Sequence, residues 1–115
     1  MWREVVELSR PKNVLLATIT VPLGAHLALG GVWTSQALGL VALQTTSAIC
    51  FVAAGNTFND VSDLDIDTVA KPHRPIPSER ISASNANKVG YVFTFLSAVL
   101  MAAGVAFTED IYPLI

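Results

Sequence analysis

Apolar residues in this chain fall into three long uncharged blocks, at residues 14–33, 37–58 and 89–107. A helix of about 20 apolar residues crosses the hydrocarbon of a bilayer, and such a helix satisfies its backbone polar groups within itself. The pattern therefore predicts an all-α transmembrane fold with three membrane helices. Residues 34–36 form a short uncharged turn between the first two blocks, and a polar segment, 59–88, separates the second from the third.

The flanking residues predict where the helices start and stop. Residues 1–12 mix Trp2, Val5, Val6 and Leu8 with charges, as in a short helix lying at the membrane interface. Pro11 suits the start of the first span, and Gly30-Gly31 its close. The second block carries Thr45, Thr46, Ser47, Ala48, Ala53, Ala54 and Gly55, small residues that let membrane helices approach closely. Beyond Asp67 the prolines at 72, 75 and 77 stop a helix, and Ser82 or Ser84 can cap the next one. His26 and Gln44, inside the blocks, are expected to hydrogen-bond between helices. His73 is expected to have no role.

Composition agrees with a membrane protein. Hydrophobic residues make up 52 % of the 115 and charged residues 14 %, too little polar surface for a soluble helical core. The single Cys50 lies in the second block, so it excludes an internal disulfide or a cysteine zinc cluster and is expected to pack. A cleaved signal peptide is a poor reading of the N-terminus, since the first apolar block is too long and two more follow. There is no repeat and no second domain. Residues 1–115 read as a single incomplete transmembrane domain.

Net charge is −2, but its layout matters more. Arg3, Arg10 and Lys12 precede the first block, and Lys71, Arg74, Arg80 and Lys88 lie between the second and third. Two crossings separate these groups, so they share a side, and basic residues mark the cytoplasmic side. The N-terminus and the 59–88 segment are thus expected to be cytoplasmic in an integral membrane protein. No nucleic-acid partner is expected.

That segment holds the candidate chemistry, Asn59–Pro77, NDVSDLDIDTVAKPHRPIP. Acids near a bilayer are expensive and usually functional. If the second helix runs on to about Thr68, then Asn56, Asp60, Asp63 and Asp67 share about 60° of arc at 100° per residue. Asn59 lies at the edge of that face and Asp65 opposite it. Carboxylates so placed repel unless a cation sits among them, and oxygen ligands favour Mg²⁺, Mn²⁺ or Ca²⁺ over zinc. Lys71 and Arg74 suit the phosphate oxygens of a ligand completing the shell of such an ion. An EF-hand fails, because Thr68 and Arg74 stand where its Gly and closing Glu belong. A self-solvating acidic helix end and a cation-conducting or scaffolding subunit are the other readings. Arg74 beside the acids is of no use to a cation path.

Asn59-Asp60-x-x-Asp63-x-x-x-Asp67 followed by Arg74-Pro75-Ile76-Pro77-Ser78 resembles the first aspartate-rich motif of the UbiA superfamily of intramembrane prenyltransferases. Glu7-Leu8-Ser9-Arg10-Pro11 is similar to the opening of those enzymes. The resemblance implies the first third of a nine-helix bundle, in which two aspartate-rich motifs hold Mg²⁺ and a prenyl diphosphate. It implies a metal role for Asn59, Asp60, Asp63 and Asp67, and diphosphate contacts from Asn56, Asn59, Lys71 and Arg74. Within the family, 66–82 is most similar to the digeranylgeranylglyceryl phosphate synthases, which implies geranylgeranyl diphosphate as donor and a lipid acceptor such as geranylgeranylglyceryl phosphate. Chlorophyll synthases and quinone-pathway aromatic prenyltransferases are the next most similar. Glu79 stands where these relatives typically carry Gly. No second aspartate-rich motif follows the third block, so the chain by itself is expected to be inactive.

Overall fold

The computed structural model describes residues 1–111, with side chains to Thr108. Every regular element among them is a helix: α1 (Trp2–Ser9), α2 (Pro11–Ala28), α3 (Ser35–Ser62), α4 (Leu64–Ala70) and α5 (Ala83–Ile111). They form an elongated body of 53 × 23 × 21 Å. α3 is the spine, with α5 packed along it on one side and α2 on another.

Two helices, α3 and α5, are long and apolar enough to cross a membrane. α2 is shorter than the apolar block that encodes it. It begins on the polar Pro11-Lys12-Asn13 and stops at Ala28, five residues before Trp33. The stop is a glycine cap: Gly30 and Gly31 take φ of +62° and +79°, the Gly30 amide reaches the Leu27 carbonyl, and the Gly31 amide reaches that of His26. Trp33 then folds back, its indole N–H donating to His26 Nδ1 at 3.0 Å. The expected interhelical bond of His26 is thus a local one. The turn spans Leu29–Thr34 rather than 34–36, because the Thr34 hydroxyl caps α3 by accepting the Ala37 amide at 3.1 Å.

The α3–α5 seam is built from small residues, as the composition of the second block predicts. Ala53, Ala54, Cys50 and Thr57 are buried. Ser47 and Ser97 bond each other's carbonyls, at 2.9 and 3.0 Å. Nearer the aspartates, Gly90 lies so close to Phe58 that a Cβ there would come within 2.7 Å of the ring, and Tyr91 meets the same ring edge-on. Ser82 caps α5, accepting the Asn85 amide at 3.1 Å.

At that same end, Leu8 of α1, Ile76 and Ile81 of the 71–82 loop, and Ala86 of α5 make a small apolar core. It fastens α1 and the proline-containing loop over the end of α3. This end holds the site.

Candidate functional site

α3 does not run unbroken to Thr68. It ends at Ser62, and Asp63 sits between α3 and α4 at φ −91°, ψ 12°. The turn is a minor one, since the Asp63 amide still reaches Asn59 and the Asp67 amide reaches Asp63, both at 2.8 Å. The acids divide by burial. Asp60 and Asp67 face inward, 3 % and 4 % exposed, while Asp63 and Asp65 face water.

Two guanidinium groups meet the inward pair. Arg74, from the loop, donates through Nη1 to Asp67 Oδ2 at 2.9 Å and to Asp60 Oδ1 at 3.4 Å. Arg10 donates through Nη2 to the same Asp60 oxygen at 2.6 Å. Arg10 is the single residue between α1 and α2 and adopts φ +54°, a conformation L-residues rarely take. Asn56 secures that junction, its amide donating to the Ser9 carbonyl at 2.8 Å and accepting from Asn13 at 3.4 Å. A strained backbone held in place by surrounding contacts is a common feature of functional sites.

Two carboxylates and two guanidinium groups balance in charge. Isolated buried ions would carry a desolvation penalty of several kcal/mol each, which such pairing offsets. Arg74 and Arg10 both engage Asp60 through Oδ1, Arg74 alone engages Asp67 through Oδ2, and the other oxygen of each carboxylate takes no hydrogen bond from the described residues. The site can therefore accept a cation at its free carboxylate oxygens and an anion at its guanidinium groups.

Of the residues expected at the site, the structure brings together Asp60, Asp67 and Arg74, with Asn56 beside them. Asn59, Asp63 and Lys71 lie exposed at the rim. The expected convergence of three carboxylates on one stripe is reduced to two, since Asp63, at the junction of α3 and α4, is exposed. Among the described residues no three His, Cys, Asp or Glu side chains gather around one ion position. Asp65 points away, as the helical spacing predicts. Arg10 is the site residue that the acidic segment could not reveal, lying fifty positions upstream of Asp60. Its one local signal is its place before Pro11, where a helix junction is expected.

A charge-balanced polar cluster therefore lies at one end of two helices long and apolar enough to cross a membrane. The UbiA prenyltransferase family matches residues 9–109, and the chain belongs to that family, whose members are integral membrane proteins. It is similar to the digeranylgeranylglyceryl phosphate synthase of Methanobrevibacter smithii, 40 % identical over 83 % of this chain and 31 % of the relative. It is also similar to that of Pyrococcus horikoshii, 35 % identical over 93 % of this chain and 41 % of the relative. That of Thermococcus gammatolerans is 44 % identical over 65 % of this chain and 26 % of its own. The chain spans about a third of the length of these relatives. No solved structure matches it.

Proposed function

We propose that this chain supplies one half of the diphosphate site of a Mg²⁺-dependent membrane prenyltransferase. The enzyme transfers a geranylgeranyl group from its diphosphate to a lipid acceptor such as geranylgeranylglyceryl phosphate. The observation that carries this reading is the buried pair Asp60 and Asp67 joined by Arg74 and Arg10, each acid keeping one uncommitted oxygen. The similarity to named digeranylgeranylglyceryl phosphate synthases supports the choice of substrates.

The donor set fits the metal. Mg²⁺ is ordinarily held by one or two carboxylates, with waters and substrate phosphates completing six oxygens. Asp60 and Asp67 would hold it, with Asn59 and Asp63 placed at the rim to reach it directly or through water. Bound Mg²⁺ supplies neutralisation of charge on the departing diphosphate. Arg74 and Arg10 add fixed positive charge at the same place, and Lys71 extends it outward. The bond between prenyl C1 and the diphosphate oxygen breaks with its electrons on oxygen. The allylic cation left behind is captured by an acceptor hydroxyl oxygen, which then releases its proton. On this reading α2, α3 and α5 all span the bilayer, the 59–88 segment faces the cytoplasm, and residues 1–115 without the remaining two thirds of a relative's length are inactive.

Isothermal titration of the detergent-solubilised protein with geranylgeranyl diphosphate tests this. Binding should require Mg²⁺ and weaken at least about tenfold in Asp67→Asn and Arg74→Ala, the loss of one charge-assisted contact. Asp65→Asn should bind as the parent does. Cation flux through reconstituted protein that binds no diphosphate would overturn the proposal.

A further inference from the structure

Besides the apolar core, the loop that delivers Arg74 is tied to α1 through the hydrogen bonds of one side chain. Arg80 Nη1 and Nη2 donate to the two carboxylate oxygens of Glu7, both at 2.8 Å. Nη2 also reaches the His73 carbonyl at 2.9 Å, and Nε reaches Ser78 Oγ at 3.1 Å. Ser78 Oγ in turn donates to the carbonyl of Arg74 at 2.6 Å. On the other side, the Glu7 carbonyl accepts the amide of Arg10 at 3.1 Å. One guanidinium therefore stands between the backbone of Arg74 and the backbone of Arg10, the two residues whose side chains converge on Asp60.

The apolar core beneath does not do this work. Contacts of Leu8 with Ile76 and Ile81 hold the loop down, and backbone hydrogen bonds within it shape its turns, but neither joins the backbone of Arg74 to that of Arg10. A planar fork with three anchoring directions does. The Arg80–Glu7 pair is itself half-exposed, so its contribution to stability is small. Its geometry is what it contributes.

We propose that Arg80, clasped by Glu7, is a positioning residue that sets the separation of Arg10 and Arg74 for the diphosphate. This rests on the diphosphate reading above. Arg80→Ala and Glu7→Ala should each raise the Kd for Mg²⁺-dependent geranylgeranyl diphosphate binding by about five-fold, the scale of an exposed ion pair. Arg80→Lys should behave like Arg80→Ala, because an ammonium lacks the fork. The double variant should be no weaker than the weaker single one, since both break the same clasp. In a Cys50→Ser background, Ile76→Cys should react faster with a polar maleimide once either partner is removed.

A merely structural role would lower binding stoichiometry and leave Kd unchanged, and that result overturns the proposal. So do additive losses in the double variant, or unchanged Kd and labelling in a parent that binds, which leave the diphosphate reading standing. A parent that binds no geranylgeranyl diphosphate removes the functional reading, and the positioning role falls with it.

Discussion

Among the described residues, two outside glycine carry positive φ, Arg10 at 54° and Glu79 at 62°, and their surroundings differ. Arg10 is held by Asp60 through its side chain, and its junction is fastened by Asn56. Glu79 is exposed and ends the turn beyond Pro77, and its side chain makes no hydrogen bond or ion pair among the described residues. The left-handed region costs an L-residue about 1–2 kcal/mol, against about 0.5–1 kcal/mol of extra chain entropy for glycine. Glu79→Gly should therefore stabilise the protein by up to about 1 kcal/mol, read as a higher thermal unfolding midpoint in detergent. A lower midpoint would show that the Glu79 side chain makes up for its backbone. At this scale the sequence was legible where chemistry is local: Asp60, Asp67 and Arg74 lie within fifteen positions. Arg10 was not legible, because its meeting with Asp60 depends on how α2 folds back along α3. Asp63 shares the helical stripe by spacing yet is exposed, because spacing places a residue on a face and does not say whether another element covers it.

Elements were easier to read than their ends. Three apolar blocks became α2, α3 and α5, yet α2 stopped at its glycine cap five residues short of Trp33, and a polar side chain at Thr34 moved the turn. The small-residue content of the second block did foretell close packing, and the Gly90–Phe58 contact makes that testable. Gly90→Ala places a methyl 2.7 Å from two ring carbons at the aspartate end of the α3–α5 seam. Overpacking of this kind costs about 1–3 kcal/mol and should lower the unfolding midpoint. Gly24→Ala is the matched control: nothing lies within 4 Å of its Cβ position, and alanine favours helix by up to about 1 kcal/mol. Equal effects of the two would refute the seam. The tie between α1 and the loop has a pH signature as well. The Arg80 hydrogen bond holds the Glu7 carboxyl below its ordinary value of 4.5, against an opposing effect of burial. A lowered carboxylate contributes stability that is present above its ordinary value and is lost as pH falls through the depressed one. The difference in unfolding midpoint between the parent and Glu7→Gln should thus hold down to about pH 4.5 and close only below it. Closure at a higher pH would mean that the pair is broken in solution.

For the molecule as a whole, the decisive contact is again Arg10 with Asp60. α3 is 28 residues long, about 42 Å at 1.5 Å per residue, enough to exceed about 30 Å of hydrocarbon at both ends. Arg10 ties the start of α2 to the aspartate end of α3, and the Leu29–Thr34 turn ties the end of α2 to the opposite end. α2 must therefore traverse whatever slab α3 traverses, although its 18 residues give only about 27 Å. An N-terminus on the far side of the membrane from the aspartate segment would require that ion pair to break. All seven basic residues cluster toward the shared end, and the positive-inside rule makes a cytoplasmic position of that end the expectation to test. Single cysteines in a Cys50→Ser background can decide the matter. Arg3→Cys and His73→Cys should react with a membrane-impermeant maleimide from the cytoplasmic face alone, and Val32→Cys from the opposite face alone, all three sites being exposed. If Arg3→Cys and His73→Cys label from different faces, α2 does not cross, and Arg10 cannot serve the site at which Asp60, Asp67 and Arg74 meet.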